Sequence, residues 1–426
     1  VDFFWYLFYN VILIPLGYIA ILIGAIFNEK LRKGLTGRRV TRREMERFRK
    51  KYPGKELYLV HSASLGEFEQ AKPVIRGLKT LRPDILIVAS FTSPSGYENA
   101  VRIAEVDLFI YLPLDSYFRM RRFVQKLRPT KMIFVMYELW PNLILNAVLH
   151  HIPTFLISAR IRKASLKWKP VVRSFFSCMY RSLNYVYAVS KEDQQTVRKL
   201  VGSVKIKVLA LGDTRYDQVF QRARERISQS LPTLFPESPV FIAGSVWPQD
   251  TRHLFPALFR ALKRHPELRL IIAPHEPNEY ALETLEDAFH NEGYKTLRLS
   301  RVGKNPVTTT VVIVDRVGVL AELYHQSQIA FVGGSFRGSI HNVMEPAIAG
   351  IPVLFGPTHH NSREARLLLE SGGGFCCENE KELYRRMHAL LANSKTYQAA
   401  AEAARQVILK NLGASARTVK EILESL

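Results

Sequence analysis

The sequence has 426 residues, 47% of them apolar, and sets 60 Lys+Arg against 38 Asp+Glu for a net charge of +22. That apolar content excludes a disordered chain. Three cysteines (Cys178 alone, Cys376 beside Cys377) exclude a disulfide framework or a cysteine metal site and point to a reducing compartment.

The chain begins with an uncharged run, 3–27, rich in Phe, Tyr, Leu and Ile. As a helix it would be about 37 Å long, enough to cross a bilayer core. Residues 29–51 follow with eleven Lys/Arg against three Glu. This order, apolar then basic, is the reverse of a signal peptide and predicts a retained anchor over 1–27 with the remainder on the cytoplasmic side. The net positive charge asks for an acidic partner, and the anchor selects an anionic membrane surface and phosphorylated substrates over nucleic acid.

Apolar runs then alternate with amphipathic ones. Strands are predicted at 57–60, 85–90, 108–112, 132–136, 154–157 and 185–189, with helices at 68–81, 95–104, 116–127, 143–150 and 165–183. A second series has strands at 240–243, 268–273, 296–299, 311–314, 329–332 and 353–355, and helices at 250–264, 279–291, 319–325, 343–349 and 363–371. Residues 221–239, ending in Pro232, Pro236 and Pro239, read as a connection, and helices close the chain over 380–426. The pattern predicts an α/β chain of two doubly wound parallel sheets: a domain over 28–220, a second over 221–405 and a terminal helical segment, 406–426. Ligands of such sheets bind outside the carboxyl ends of the strands, so the expected site is a cleft lined by strand-to-helix turns. Neither a P-loop nor a dinucleotide fingerprint is present.

Five turns carry candidate chemistry. "HSASLGEFEQ", 61–70, brings small residues, Ser64 and Gly66 among them, and then Glu67 into the first turn of a helix. Glu67 reads either as a helix-stabilising charge or as a general base held ionised by the helix dipole. "MYELWPN", 136–142, puts Glu138 at a second strand end. "SARIRKAS", 158–165, offers Arg160 and Arg162 to a phosphorylated acceptor, and "LGDTRYD", 211–217, offers Arg215. In "FVGGSFRGSIHNVMEPAIAGIPVLFGP", 331–357, a glycine-rich turn around Gly334 and Ser335 leads to Asn342 and Glu345. Free amides there suit a phosphate, and the carboxylate suits ribose hydroxyls. The pairs His150-His151 and His359-His360 lack the spacing of a helical metal site, and no Asp-x-Asp stands at a strand end, so no metal is expected.

The ordered set "HSASLGE", "YELWPN", "SARI" and "VGGSF…HN…EPA…G.PVLFGP", behind an apolar N-terminal run, resembles the 3-deoxy-D-manno-octulosonate (Kdo) transferases of lipopolysaccharide synthesis over nearly the whole chain. The resemblance implies a GT-B fold, attachment to the cytoplasmic face of a bacterial inner membrane, and metal-independent, inverting transfer of Kdo from CMP-Kdo to a lipid A precursor. It implies Glu67 as general base, Glu138 as a second acid, and Arg215 where the family often has a transition-state lysine. It also implies CMP contacts at Pro274-His275, at Val317-Gly318-Val319 and from Asn342 through Val343 and Met344 to Glu345. This chain departs from the family at Ala273-Pro274-His275, where Pro-Arg-His is common, at Val317-Gly318-Val319, where Met-Gly-Glu is common, and at Ser339-Ile340, where Gly-Gly is common. Arg337 is a candidate to compensate for the lost positive charge. Two alternatives stand beside this reading: a GT-B transferase with another donor such as a UDP-sugar, and an inactive membrane-anchored binding protein.

Overall fold

The computed structural model describes residues 3–136, 138–161, 169–203, 206–226, 231–303 and 307–425. They form two compact units, one of residues 1–218 with 412–426, the other of residues 219–411.

The first unit is built on a seven-stranded parallel sheet: β1 Leu57–Ser62, β2 Leu86–Phe91, β3 Leu108–Tyr111, β4 Lys131–Val135, β5 Thr154–Ala159, β6 Tyr185–Ala188 and β7 Lys207–Ala210, in the order β3-β2-β1-β4-β5-β6-β7. Every residue of β1, β2, β4 and β5 is buried, as expected of a parallel sheet covered by helices on both faces. Chain order reverses between β1 and β4, and this switch point lies beside the turns that carry Glu67 and Glu138. The second unit repeats the plan with β8 Val240–Val246, β9 Arg269–Pro274, β10 Thr296–Arg298, β11 Val311–Ile313, β12 Ile329–Val332, β13 Val353–Phe355 and β14 Gly374–Cys376, ordered β10-β11-β9-β8-β12-β13-β14. Its switch point lies between β8 and β12.

The twelve predicted strands are all present within one to three residues, and two more, β7 and β14, were not anticipated. Both are short edge strands; β7 reads Lys-Val-Leu-Ala and buries only Val208, too little apolar signal to stand out. The helix Lys191–Val201 was likewise missed. The helix expected over 95–104 stops at Asn99. The helix expected from 68 begins at Leu65, because Ser64 caps it. The helix expected from 165 is seen as Pro170–Arg181, with 162–168 outside the described residues.

The last helix, Ala414–Glu424, belongs to the first unit rather than standing apart. Lys131 donates from Nζ to the carbonyls of Ile422 (2.5 Å) and Ser425 (2.9 Å). Asp217 accepts from the amides of Gly413 and Ser415, both at 2.7 Å.

The apolar run forms helices Phe3–Phe8 and Ile14–Phe27, joined by a π-helical turn, Tyr9–Leu13, just before Pro15, whose missing amide cannot continue an α-helical ladder. Phe4–Phe27 is long and apolar enough to cross a membrane, and Leu7, Val11, Ile19, Ile23 and Phe27 are exposed. Its other face is tied to the first unit. Trp5 Nε1 donates to Ser174 Oγ (3.0 Å), and Asn10 and Asn142 exchange side-chain amide bonds of 2.8 and 3.0 Å. Asn142 is in turn fixed by buried Asp115, which accepts its amide at 3.0 Å. Burial raises the Asp115 carboxyl to about 6 against those hydrogen bonds. After Asn28, which caps it, the basic helix Glu29–Lys51 packs on β3.

Candidate active site

At the end of β1 the chain turns through Ala63 and Ser64 into the helix Leu65–Leu81. Ser64 Oγ accepts from the Glu67 amide (3.4 Å), and Glu67 Oε2 accepts from the amides of Ala63 (2.5 Å) and Ser64 (3.1 Å), a reciprocal capping box. Both bonds fall on Oε2; Oε1 takes none among the described residues. The two readings of Glu67 are therefore compatible, one oxygen for the cap and one for chemistry. The dipole does not dominate its protonation, contrary to expectation. Burial, and then the charge of Glu138, raise the carboxyl to about 7, against the opposing pull of the two amides. Glu67 is only 4% exposed, whereas Ser64 and Gly66 are open, and a Cβ at Gly66 would meet nothing within 4 Å. Glu138 stands past the end of β4, after Met136, a non-glycine residue at φ +63°.

A second cluster gathers the ends of β4, β5 and β7. Ser158, at φ +52°, shares a hydrogen bond of 2.9 Å with Thr214, whose hydroxyl donates to the Gln70 carbonyl at 2.8 Å. Gln70 Nε2 reaches Met136 Sδ at 3.0 Å. Next to Thr214, Asp213 is 5% exposed and holds two arginines. Arg215 donates to it from Nη2 (2.6 Å), from Nε (3.0 Å to Oδ2) and from its own amide (3.0 Å), and Arg160 Nη2 lies at 3.6 Å. Burial pushes the Asp213 carboxyl up, but the two guanidiniums overcome it and hold the group below its usual value. Arg160 and Arg215 were assigned separate tasks from the sequence; they converge on one buried carboxylate that sequence reasoning passed over. The signal was in the quoted stretch, an acid two residues before the arginine. Arg162 lies outside the described residues.

In the second unit, β8 runs through Ser245 (φ +55°) to Trp247, and the helix Pro248–Arg264 carries Asp250 in its first turn. Asp250 is fully buried and accepts from the amides of Trp247 (2.9 Å), Gly334 (2.7 Å) and Phe336 (3.2 Å). The Gly334 carbonyl accepts from Arg337, Gly338 and Ser339, at 3.0–3.1 Å. Two of the amides expected near a phosphate, those of Gly334 and Phe336, are thus committed to the chain's own carboxylate. Gly333 is required there, since a Cβ would lie 2.3 Å from the Ser245 carbonyl. The Ser335 hydroxyl is buried and accepts from the Gly356 amide at 2.6 Å. Val343 and Met344 are core residues, 1% and 4% exposed. Asn342 Oδ1 accepts from the Met344 amide (3.0 Å), and Glu345 pairs with Arg222 at 3.2 Å, which competes with any ribose hydroxyl. Val317 is exposed, and Gly318 turns the chain at φ +87° into Val319, which caps the next helix.

What this edge does present is a stack. The Arg337 guanidinium lies 3.6 Å from the Trp247 ring centre, Trp247 packs on His275 at 4.4 Å, and His275 on His341 at 4.4 Å. Trp247 Nε1 donates to His341 Nε2 (2.8 Å), which requires that nitrogen to be unprotonated. Burial, followed by His275, lowers the His341 pKa, in agreement. His275, beside Pro274 at the end of β9, and Arg337 were both named from the sequence; Trp247, Asp250 and His341 gain their meaning only from the fold. Among the described residues no three His, Cys, Asp or Glu are grouped to hold a metal ion.

Residues 38–218 match the family described as 3-deoxy-D-manno-octulosonic-acid transferase (kdotransferase). The chain is 29% identical over 363 residues to the 3-deoxy-D-manno-octulosonic acid transferase of Haemophilus influenzae, covering 84% of each protein. It is 30% identical over 340 residues to that of Aquifex aeolicus, covering 79% of this chain and 86% of the relative. Among solved structures it is similar to a UDP-GlcNAc 2-epimerase from Neisseria meningitidis (TM-score 0.64, 15% identity, 87% and 100% covered) and a glycosyltransferase from Rickettsia africae (0.57, 13%, 88% and 100%). These structures share its fold: two Rossmann-like units of the GT-B class.

Proposed function

Since this chain belongs to the 3-deoxy-D-manno-octulosonic acid transferase family, we propose that it moves Kdo from CMP-Kdo, with inversion, to a hydroxyl of a phosphorylated lipid A precursor at the cytoplasmic face of a bacterial inner membrane. The observation that carries the mechanism is Glu67: a buried carboxylate with one oxygen anchored, the other unbonded among the described residues, and a pKa raised to about 7. A base poised near the working pH combines a large ionised fraction with useful basicity.

In this reading Glu67 Oε1 takes the acceptor hydroxyl proton as that oxygen bonds to the sugar's anomeric carbon. The bond from that carbon to the CMP phosphate oxygen breaks, and CMP leaves with the electron pair. Glu138 keeps the Glu67 carboxyl basic. Arg215 and Arg160, oriented by Asp213, supply positive charge for the acceptor phosphates and the departing anion. The stack of Arg337, Trp247 and His275 is the proposed seat of the nucleotide, with Arg337 on its phosphate in place of the committed amides. No step of this transfer calls on a metal, and a chelator is expected to leave turnover unchanged.

Mass spectrometry of the lipid A precursor after incubation with the protein and freshly generated CMP-Kdo tests the reaction. A product heavier by whole Kdo residues supports it, and an unmodified precursor beside intact CMP-Kdo sinks it. A thermal-shift series tests the donor: at a hundred times its dissociation constant CMP should stabilise the protein by about 2.7 kcal/mol, with UMP and UDP well behind at equal concentration. Arg337→Ala is expected to raise the KM for CMP-Kdo roughly 10- to 100-fold, the loss of one hydrogen bond to a charged group, while the acceptor KM stays put. Equal effects on both would move Arg337 away from the donor.

A further inference from the structure

Where the apolar helix Ile14–Phe27, the basic helix Glu29–Lys51 and the end of β3 meet, the first unit contains a cavity of about 480 Å³. That volume falls within the range of small-molecule sites. One wall is hydrocarbon, including Ile21 and Leu22; the facing wall is cationic, and no acidic residue lines the cavity. Not all of the cations are available. Arg38 is spent on the carbonyls of Gly34, Thr92 and Leu112, and Glu46 pairs with both Arg42 and Lys126. Arg39, Arg119 and Arg122 remain, exposed and without an acidic partner among the described residues. Arg119 lies 5.1 Å from the ring centre of Tyr18, and the Tyr18 hydroxyl is buried with no hydrogen-bond partner.

Buried donors are ordinarily satisfied, so an unpartnered hydroxyl beside three unneutralised guanidiniums marks the place of an absent anionic acceptor. We propose that this cavity binds one anionic glycerophospholipid of the bilayer. Its phosphate sits among Arg39, Arg119 and Arg122, accepts from Tyr18, and sends an acyl chain along Ile21 and Leu22. A soluble phosphate would leave the hydrocarbon wall wet. A bilayer lipid covers it, and the helix that forms this wall exposes an apolar face of its own. The bound lipid then clamps the apolar helix to the basic one.

The test uses the full chain, stripped of lipid in detergent, reloaded from equimolar phosphatidylglycerol and phosphatidylcholine, and weighed intact by native mass spectrometry. The wild type should retain one phosphatidylglycerol at least tenfold in preference to phosphatidylcholine. Arg39→Gln/Arg119→Gln/Arg122→Gln should weaken retention roughly a hundredfold, about fivefold for each cation. Arg43→Gln/Arg47→Gln/Lys50→Gln, which removes the same charge from elsewhere on the basic helix, should retain the lipid, and millimolar inorganic phosphate should not displace it. Equal retention of the two lipids, equal loss in both triple variants, or displacement by phosphate would each overturn the site. Should the first triple variant misfold, Tyr18→Phe gives a second reading. It should keep the fold and release the lipid several-fold more readily, and unchanged retention would remove the proposed phosphate seat.

Discussion

Glu67→Gln is expected to fold, to bind donor and acceptor, and to lose turnover by roughly 10²- to 10⁴-fold, the usual worth of a positioned base. Glutamine at this position still closes the capping box with Ser64, so the helix Leu65–Leu81 keeps its start. The variant carries a second signature. The native Glu67 carboxyl holds its proton up to about pH 7, against 4.5 for the ordinary group. A raised carboxyl pKa gives stability that is complete below 4.5 and is lost as pH rises through 7. Above pH 7 the native state therefore bears a penalty on the order of 2–3 kcal/mol that glutamine removes. Glu67→Gln should then melt higher than wild type at pH 8 and indistinguishably at pH 4. The wild-type kcat/KM should rise with pH, reach its midpoint near 7 and level off above it. A variant with near-normal turnover would end the assignment, and a variant both inactive and destabilised would mark Glu67 as a structural cap alone.

Asp213→Ala carries the second large effect. Removing one partner of a buried ion pair costs about 3–5 kcal/mol when the other stays buried. Arg160 and Arg215 retain 18% and 26% side-chain exposure and can reach water, which places the loss nearer 3 kcal/mol. The kinetic loss should exceed that of either arginine alone, because both lose their orientation together. A double-mutant cycle with Arg215→Ala measures the coupling; additive losses would show that Asp213 does not organise the arginine.

The alternation of apolar and amphipathic runs gave the parallel architecture away, since strands buried on both faces leave continuous hydrophobic stretches. β7, which buries only Val208, leaves no such run and was invisible. The candidate turns were legible where a strand ends in an acid: Glu67 after small residues, Glu138 directly past β4. The site was illegible where function depends on which turns meet. No local pattern shows that Asp250 reaches the amides of Gly334 and Phe336, eighty-odd positions away. For that reason a glycine-rich loop looked like a phosphate cradle. Trp247, His275 and His341 come from three separate strand ends, and only the order β9-β8-β12 brings them into one stack.

The return of 412–426 to the first unit bears on the order in which the molecule can be made. Residues 219–411 form a unit that is continuous in sequence. The first unit emerges earlier but lacks its helix Ala414–Glu424 until 412–426 follow. Until the final helix arrives, the surface of Leu65–Leu81 that receives Val419 at Gly77 stays open, and the Lys131 amine lacks its two carbonyls. At roughly 5–20 residues per second, the wait imposed by 219–411 is on the order of 10–40 s. The half of the protein that carries Glu67 is thus the first to be synthesised and the last to be complete.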